Sequence, residues 1–338
     1  MAALASLIVV VLRAQATAQV HQPPPAEITG RYVEAIEAYR SGDLKQAEAW
    51  ATQLLREDIE IGSTYLVEKR RLHLLPAAVM FHTEVFLNKW LPLGAEHYHL
   101  ARAKWIVARG DLPPDFLLGW YLCLTSYHQN WAELAEALAL LEDGLERVGD
   151  EPDLRLAVGT THEMQATLGW EADRNGRRPR RVDVEDRLEA ARDQYRRALA
   201  VRPDLDEARV RLGRVLHDLG DLEEAAQVLQ GLEARVENDR FLGYLQPLFM
   251  ASLEAARGRF KQAADHYISA ATRMPASQAP WVGLSEAYYA DGQPDQAATV
   301  IEKRLADPAQ SDPWWDYLRG QAWRFGDRLT ALRKMSQR

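Results

Sequence analysis

Between Pro203 and Ala309 one unit is written three times: Leu212-Gly213, Gly220-Asp221, Ala225 and Leu229; then Ala251, Gly258, Ala263, Tyr267, Ala270 and Pro275; then Trp281, Leu284, Tyr288, Gly292 and Ala297. The alanines after the turns sit at 191, 225, 263 and 297, so their spacings are 34, 38 and 34. A period of this length, with glycine between two apolar-periodic runs, describes a helix, a tight turn and a second helix. Each residue type has a mechanical reason. Small residues on the first helix (Gly213, Ala251, Ser285) and on the second (Ala225, Ala263, Ala297) let two backbones approach closely. Glycine at 220, 258 and 292 ends the first helix, because left-handed backbone carries no steric penalty there. Proline at 203 and 275 closes the second. Large residues such as Leu229, Tyr267 and Ile301 fill the space between neighbouring pairs. Each pair leaves one face bare, so pairs must stack.

This pattern resembles the tetratricopeptide repeat, most clearly over residues 187–306. The resemblance implies an all-α fold, an α-α superhelical solenoid of stacked helix-turn-helix repeats. It also implies that the first helices line a concave groove holding a partner's peptide or helix. It does not say which partner.

Composition is that of a folded chain: 47% hydrophobic and 27% charged over 338 residues, with no low-complexity run beyond Pro23-Pro24-Pro25. A net charge of -8 argues against nucleic acid as a ligand, since phosphate binding needs a basic surface. Cys123 is the only cysteine, so no intrachain disulfide forms, and its place among small helix-pair positions makes it a core residue.

Residues 1–18 read as a signal peptide: the apolar run from Ala2 to Leu12 is too short to span a bilayer and is followed by small residues at Ala14, Ala16 and Ala18. The alternative is an N-terminal helix packed on the first hairpin. Export would place the chain in the periplasm or outside a bacterial cell. Residues 19–28 form a Pro-rich linker, and residues 29–311 hold about seven hairpins with irregular insertions near 57–75 and 174–182. Helical spacing from Thr64 to Leu75 predicts an additional or lengthened helix in the first insertion. The second insertion holds Arg177, Arg178, Arg180 and Arg181, a solvated excursion or a docking loop for an acidic partner or anionic headgroups. In the second and third hairpins, Ala101 and Ala135 take the small second-helix position, and Asn130 replaces the turn glycine. Residues 312–338 are expected to be capping helices whose Trp314, Tyr317 and Trp323 cover the open face of the last repeat.

No catalytic template fits. Glycine-rich phosphate loops are absent, and His162-Glu163 lacks the second histidine of a zinc-protease helix, Ala166 standing in its place. His97 and His99, two apart on a helix, point to different faces. The expectation is therefore no catalytic, cofactor or metal site.

The groove remains. Counting back from each turn transfers the family's concave positions to Tyr32 and Tyr39 in the first hairpin and to Trp120, Tyr127 and His128 in the third. The fifth supplies Arg214 and His217, the sixth Leu245 and Leu248, and the seventh Val282, Glu286 and Tyr289. Apart from Arg40 and Arg214 the wall lacks cations, which disfavours capture of a terminal carboxylate. The first expectation is a non-enzymatic scaffold holding a protein or peptide partner in this aromatic-apolar groove. A second is an envelope assembly factor docking through the arginine loop and the terminal aromatics, its groove occupied by its own chain. An enzyme with a site assembled across repeats is the third.

Overall fold

A computed structural model describes residues 26–57, 66, 70–88, 95–172, 179–305 and 312–338. The expected signal peptide, most of the Pro-rich linker, much of the 57–75 insertion, and Arg177 and Arg178 lie outside the described residues. The chain divides into two compact units, Met1–Phe116 with Thr330–Arg338, and Leu117–Leu329.

In the first unit, α1 (Ala26–Arg40) and α2 (Leu44–Glu57) form a hairpin. Its turn closes on Gly42 at φ 84°, where the Gly42 and Asp43 amides donate to the Tyr39 and Ala38 carbonyls. Tyr32, Ala35, Ile36 and Tyr39, at helical spacing, are all buried. A short 3-10 turn (Leu72–Leu74) then leads into α3 (Leu75–Leu87), with Pro76 in its first turn, and α4 (Ala95–Arg109). The helix expected to run through 64–75 is interrupted, because Arg70 takes a left-handed φ of 54° before the 3-10 turn. On α4 it is Ala103 that is fully buried, while Ala101 is exposed.

The second unit takes up α5 (Pro114–Asn130) and α6 (Leu134–Val148), then α7 (Pro152–Leu168). Two three-residue strands, β1 (Trp170–Ala172) and β2 (Pro179–Arg181), pair antiparallel with Trp170 opposite Arg181, Glu171 opposite Arg180 and Ala172 opposite Pro179. The arginine excursion is thus rooted in a β-ladder, a feature the charge pattern does not foretell. α8 (Val184–Val201) follows, its N-terminus capped by the Asp183 carboxylate.

Next come α9 (Asp206–Leu219), α10 (Leu222–Gln230), the single turn α11 (Glu233–Val236), α12 (Leu242–Ala256) and α13 (Phe260–Arg273). α14 (Ala279–Ala290) and α15 (Pro294–Leu305) make the last hairpin. The mechanics are those the repeat demands. A Cβ on Gly213 would lie 2.5 Å from the Leu229 side chain, so only glycine lets α9 and α10 meet. Gly220 ends α9 at φ 88°. A core of Tyr195, Ala198, Ala208, Val215, Ala225, Ala251 and Ala263 runs through the stack. Apart from the β-ladder, the described chain is all-α, built of stacked antiparallel pairs.

Beyond α15 lie α16 (Pro313–Leu318), a 3-10 turn (Ala322–Arg324) and α17 (Phe325–Ser336). These are helical, as the aromatic pattern predicts, but Trp314 and Tyr317 do not roof the last hairpin. Both rings pack against Phe249 of α12, because the chain turns back into the concave face of the second unit.

Candidate functional site

The concave wall is read from the turn, and the third hairpin's turn is two residues later than Asn130 suggests. Ala132 is the left-handed residue at φ 56°. The Ala132 and Glu133 amides donate to the Gln129 and His128 carbonyls, as Gly220 and Asp221 donate to His217 and Leu216. Arg214 and His217 stand six and three residues before Gly220; the same steps back from Ala132 reach Ser126 and Gln129. From Gly169, left-handed at φ 68°, six steps back reach Glu163. The true wall of the second unit therefore includes Ser126, Gln129, Glu163 and Arg214. The buried alanine of α6 is accordingly Ala137, not Ala135.

That wall is covered by residues 312–329 of the same chain. The segment is pinned first by Asp312, whose carboxylate receives the Trp314 amide at 2.9 Å and the Tyr244 hydroxyl at 2.8 Å. It also receives the Gln278 and Ala279 amides at 3.0 and 2.8 Å. One side chain thus caps two helix N-termini, α16 and α14. Trp314 stacks on Tyr317 with ring centroids 5.3 Å apart, and both rings meet the Phe249 ring edge-on. Arg211 lies 4.4 Å over the Tyr317 ring, and Arg214 covers the Phe249 and Trp314 rings at 5.7 and 5.5 Å.

Beneath this sits a buried charge cluster. Arg211, 1% exposed, donates to Glu207 at 3.1 Å and to Glu163 at 3.2 Å. Glu163 also accepts the hydroxyls of Tyr195, at 2.6 Å, and of Tyr317. Glu207 receives Arg324 of the segment at 2.5 Å. Burial alone would raise the Glu207 carboxyl, but the charges of Arg211 and Arg324 outweigh it and hold the group below its ordinary range. Burial, then the Glu163 charge, pushes the Tyr195 and Tyr317 phenols far up, so both remain donors. Arg328 is brought down to about 10 by burial and by its neighbour Arg324.

The groove also reads backbone. Arg211 donates to the Gly320 carbonyl at 2.8 Å, and the Gln129 amide oxygen accepts the Gln321 N–H at 2.9 Å. The amide nitrogen of Gln129 is oriented by Thr160 and Thr161 at 3.1 and 2.9 Å. Arg328 reaches the Leu122 carbonyl at 3.0 Å and the Ser126 hydroxyl, and Arg319 reaches Asn130. Gly320 is obligatory: its φ is 62°, and a Cβ would meet the Met164 sulfur at 2.7 Å and Gln129 at 3.2 Å.

The expected wall residues divide accordingly. In the first unit, Tyr32 is sealed against His82 at 2.9 Å and faces no open groove, whereas Tyr39, which donates to Glu84 at 2.7 Å beside Arg333, lines a pocket of about 230 Å³ together with Leu44, Ala47 and Phe81. In the second, Trp120 is fully buried and edge-on to Tyr121, because the two-residue offset in the turn rotates it into the core. His128 is turned inward for the same reason and meets Glu133 at 2.8 Å. Tyr127 is buried against Phe325. Arg214 and His217 are half-buried, both paired with Asp218. Leu245 and Leu248 are buried. On α14, Glu286 is exposed, and Val282 and Tyr289 are 47% and 72% exposed. Cys123 is buried, as expected of a core residue. His162 meets Gln165, and His99 meets His82 at 3.0 Å. Among the described residues no three or more His, Cys, Asp or Glu side chains gather as ligands for an ion.

A family model for the tetratricopeptide repeat matches residues 185–243 and 254–322. No curated protein sequence matches the chain. Among solved structures, one titled "Functional Characterization of Pseudomonas Aeruginosa pilF" is similar at 15% identity and a TM-score of 0.47, covering 65% of this chain and 90% of that one. "MamA 41-end from Desulfovibrio magneticus RS-1" is similar at 18% identity and 0.43, covering 55% and 92%, and "MamA MSR-1 C2" at 16% and 0.41, covering 55% and 94%. Likenesses this loose carry no partner, location or role to this chain.

Proposed function

We propose that this chain, whose residues 185–243 and 254–322 match the tetratricopeptide repeat, is a non-enzymatic scaffold that holds a protein partner on its concave wall. One observation carries the reading: Gln129 and Arg211 already bind main-chain groups of a polypeptide laid along the groove. A surface that satisfies peptide N–H and C=O groups is built for peptide. The wall continues past the covered stretch onto α14, where Val282, Glu286 and Tyr289 are bare. Aromatic and aliphatic groups standing out of a concave wall suit an apolar anchor from a partner.

Photo-crosslinking from the full chain tests this. A crosslinker at 282 or 289 should give a discrete protein adduct, and one at Ile268, exposed on the second helix of the preceding pair, should not. Absence of adducts from 282 and 289, or the same adducts from all three, would argue against the scaffold.

The envelope reading draws support from the groove being filled by its own chain. In that reading the protein is exported, residues 1–18 being removed, and docks through Arg177, Arg178, Arg180 and Arg181 with exposed terminal aromatics such as Trp315. Neutralising the four arginines should abolish its retention at the envelope, and N-terminal sequencing of the native protein should begin near Gln19.

A further inference from the structure

The covering segment has the geometry of a ligand and not of a wedge. Its inner face carries Asp312, Tyr317, Gly320 and Gln321, all buried, while Trp315 and Asp327 are open to water. It therefore rests on the wall from one side, and the hairpins beneath need not separate for it to leave. The charges beneath it are also paired among themselves. Arg211 is bonded to both Glu163 and Glu207 through side chains of the wall alone. If the segment departs, neither carboxylate is left without a cation, and the pocket, now open, carries one net negative charge. Arg324 of the segment supplies that missing positive charge.

From this arrangement, and resting on the scaffold reading above, we infer that residues 312–328 are an exchangeable intramolecular ligand. The groove of the second unit takes in trans a partner segment of the same chemistry. That segment must bring an aromatic pair three residues apart (Trp314 and Tyr317 here), a glycine three residues after the second ring, and an arginine four residues after the glycine. The rings fill the surface between Phe249, Arg211 and Arg214. The glycine allows the approach to Met164 and Gln129, and the arginine closes the ion pair with Glu207. The chain's own copy holds such a partner off until it is outcompeted.

The probe is a labelled synthetic peptide of residues 312–329, titrated against the full chain and against its Gly320→Ala variant. Alanine at 320 weakens the resident copy and leaves the wall unchanged, so the peptide should bind the variant at least tenfold more tightly than the wild type. A peptide itself carrying Gly320→Ala should bind at least tenfold more weakly than the native peptide. Failure to bind a variant that circular dichroism shows to be folded would overturn the inference, and so would equal binding of both peptides to both chains.

Hydrogen exchange on the wild type gives a readout independent of that variant. The Gln321 amide, bonded to Gln129, should exchange through an opening less costly than that of core amides such as Val215, and excess isotopically distinct peptide should accelerate it. Exchange of Gln321 only with global unfolding, unmoved by peptide, would mean a permanent strap and end the proposal. If the peptide fails while crosslinks at 282 and 289 persist, the scaffold stands and only the exchangeable ligand falls.

Discussion

Two stretches of one wall, α7 to α12 and α14, are built from the same repeat and meet different fates. Counted from their turns, Glu163, Arg214 and Glu286 are equivalent, six residues before Gly169, Gly220 and Gly292. Glu163 lies under Tyr317 and Arg214 lies against Trp314, whereas Glu286 faces water. The repeat therefore sets where a side chain stands on the concave face. What stands opposite it is set elsewhere in the chain, by residues that follow the last hairpin. Predictions can break this contrast at the covered stretch or sharpen it at the bare one.

The largest effect is expected at the covered stretch. Arg211→Ala leaves Glu163 and Glu207 buried beside one another with Arg324 as the nearest compensation, and should cost about 3–5 kcal/mol. Thermal and urea unfolding should both show it. A loss below about 1 kcal/mol would mean that water reaches the cluster freely.

Next comes acid sensitivity at a buried histidine pair of the first unit. Burial lowers His99 to about 4, and burial with the charges of His99 and Arg102 holds His82 well below its ordinary value. The two Nδ1 atoms are 3.0 Å apart, so one carries the proton and the other must be bare. In the unfolded chain both histidines take up protons near pH 6.5, while in the fold they resist. This stability is fully present above about pH 6.5 and is lost as pH falls toward 4, His99 alone accounting for on the order of 3 kcal/mol. Unfolding midpoints at pH 7, 6 and 5 should fall in that order, and His99→Gln should flatten the trend. A parallel profile in the variant would remove the histidine pair as the cause.

A smaller change is expected from Gly320→Ala. A left-handed φ and a methyl against Met164 should together cost about 1–2 kcal/mol, seen as a modest loss of unfolding midpoint. The smallest belongs to the bare stretch: Tyr289→Ala should shift stability by less than about 0.5 kcal/mol while reducing crosslinked adduct at the neighbouring wall. A large stability loss at Tyr289 would show that α14 is covered after all.

The residues explain why part of this was legible in the sequence. Glycine at 220, 258 and 292 marks its turns openly, and the hairpins there match the reading to the residue, with Ala225, Ala263 and Ala297 buried as expected. In the third hairpin the left-handed residue is Ala132, a type that rarely marks a turn, whereas Asn130 is of the type that usually does. The two-residue error preserved the 34-residue spacing, Ala103 to Ala137 being as far apart as Ala101 to Ala135. Spacing alone could not reveal it; the burial pattern of α5, with Trp120 inward and Gln129 at the wall, could. Gln129 and Ser126 were missed for this reason, and Glu163 because Gly169, well before the arginine excursion, ends its helix. The fate of the tail was missed for another. Its aromatics declare an apolar face, but Asp312, Arg324 and Arg328 find partners 68, 117 and 202 residues away, at Tyr244, Glu207 and Ser126, and no local pattern records such pairings.

The central claim is that residues 312–329 lie in the groove of the second unit, and a double-mutant cycle across Glu207 and Arg324 tests it most directly. Glu207→Gln, Arg324→Gln and the double variant, compared by urea unfolding, should give a coupling energy of about 1–3 kcal/mol. Additive losses, with coupling near zero, would place Arg324 away from Glu207 and contradict the account.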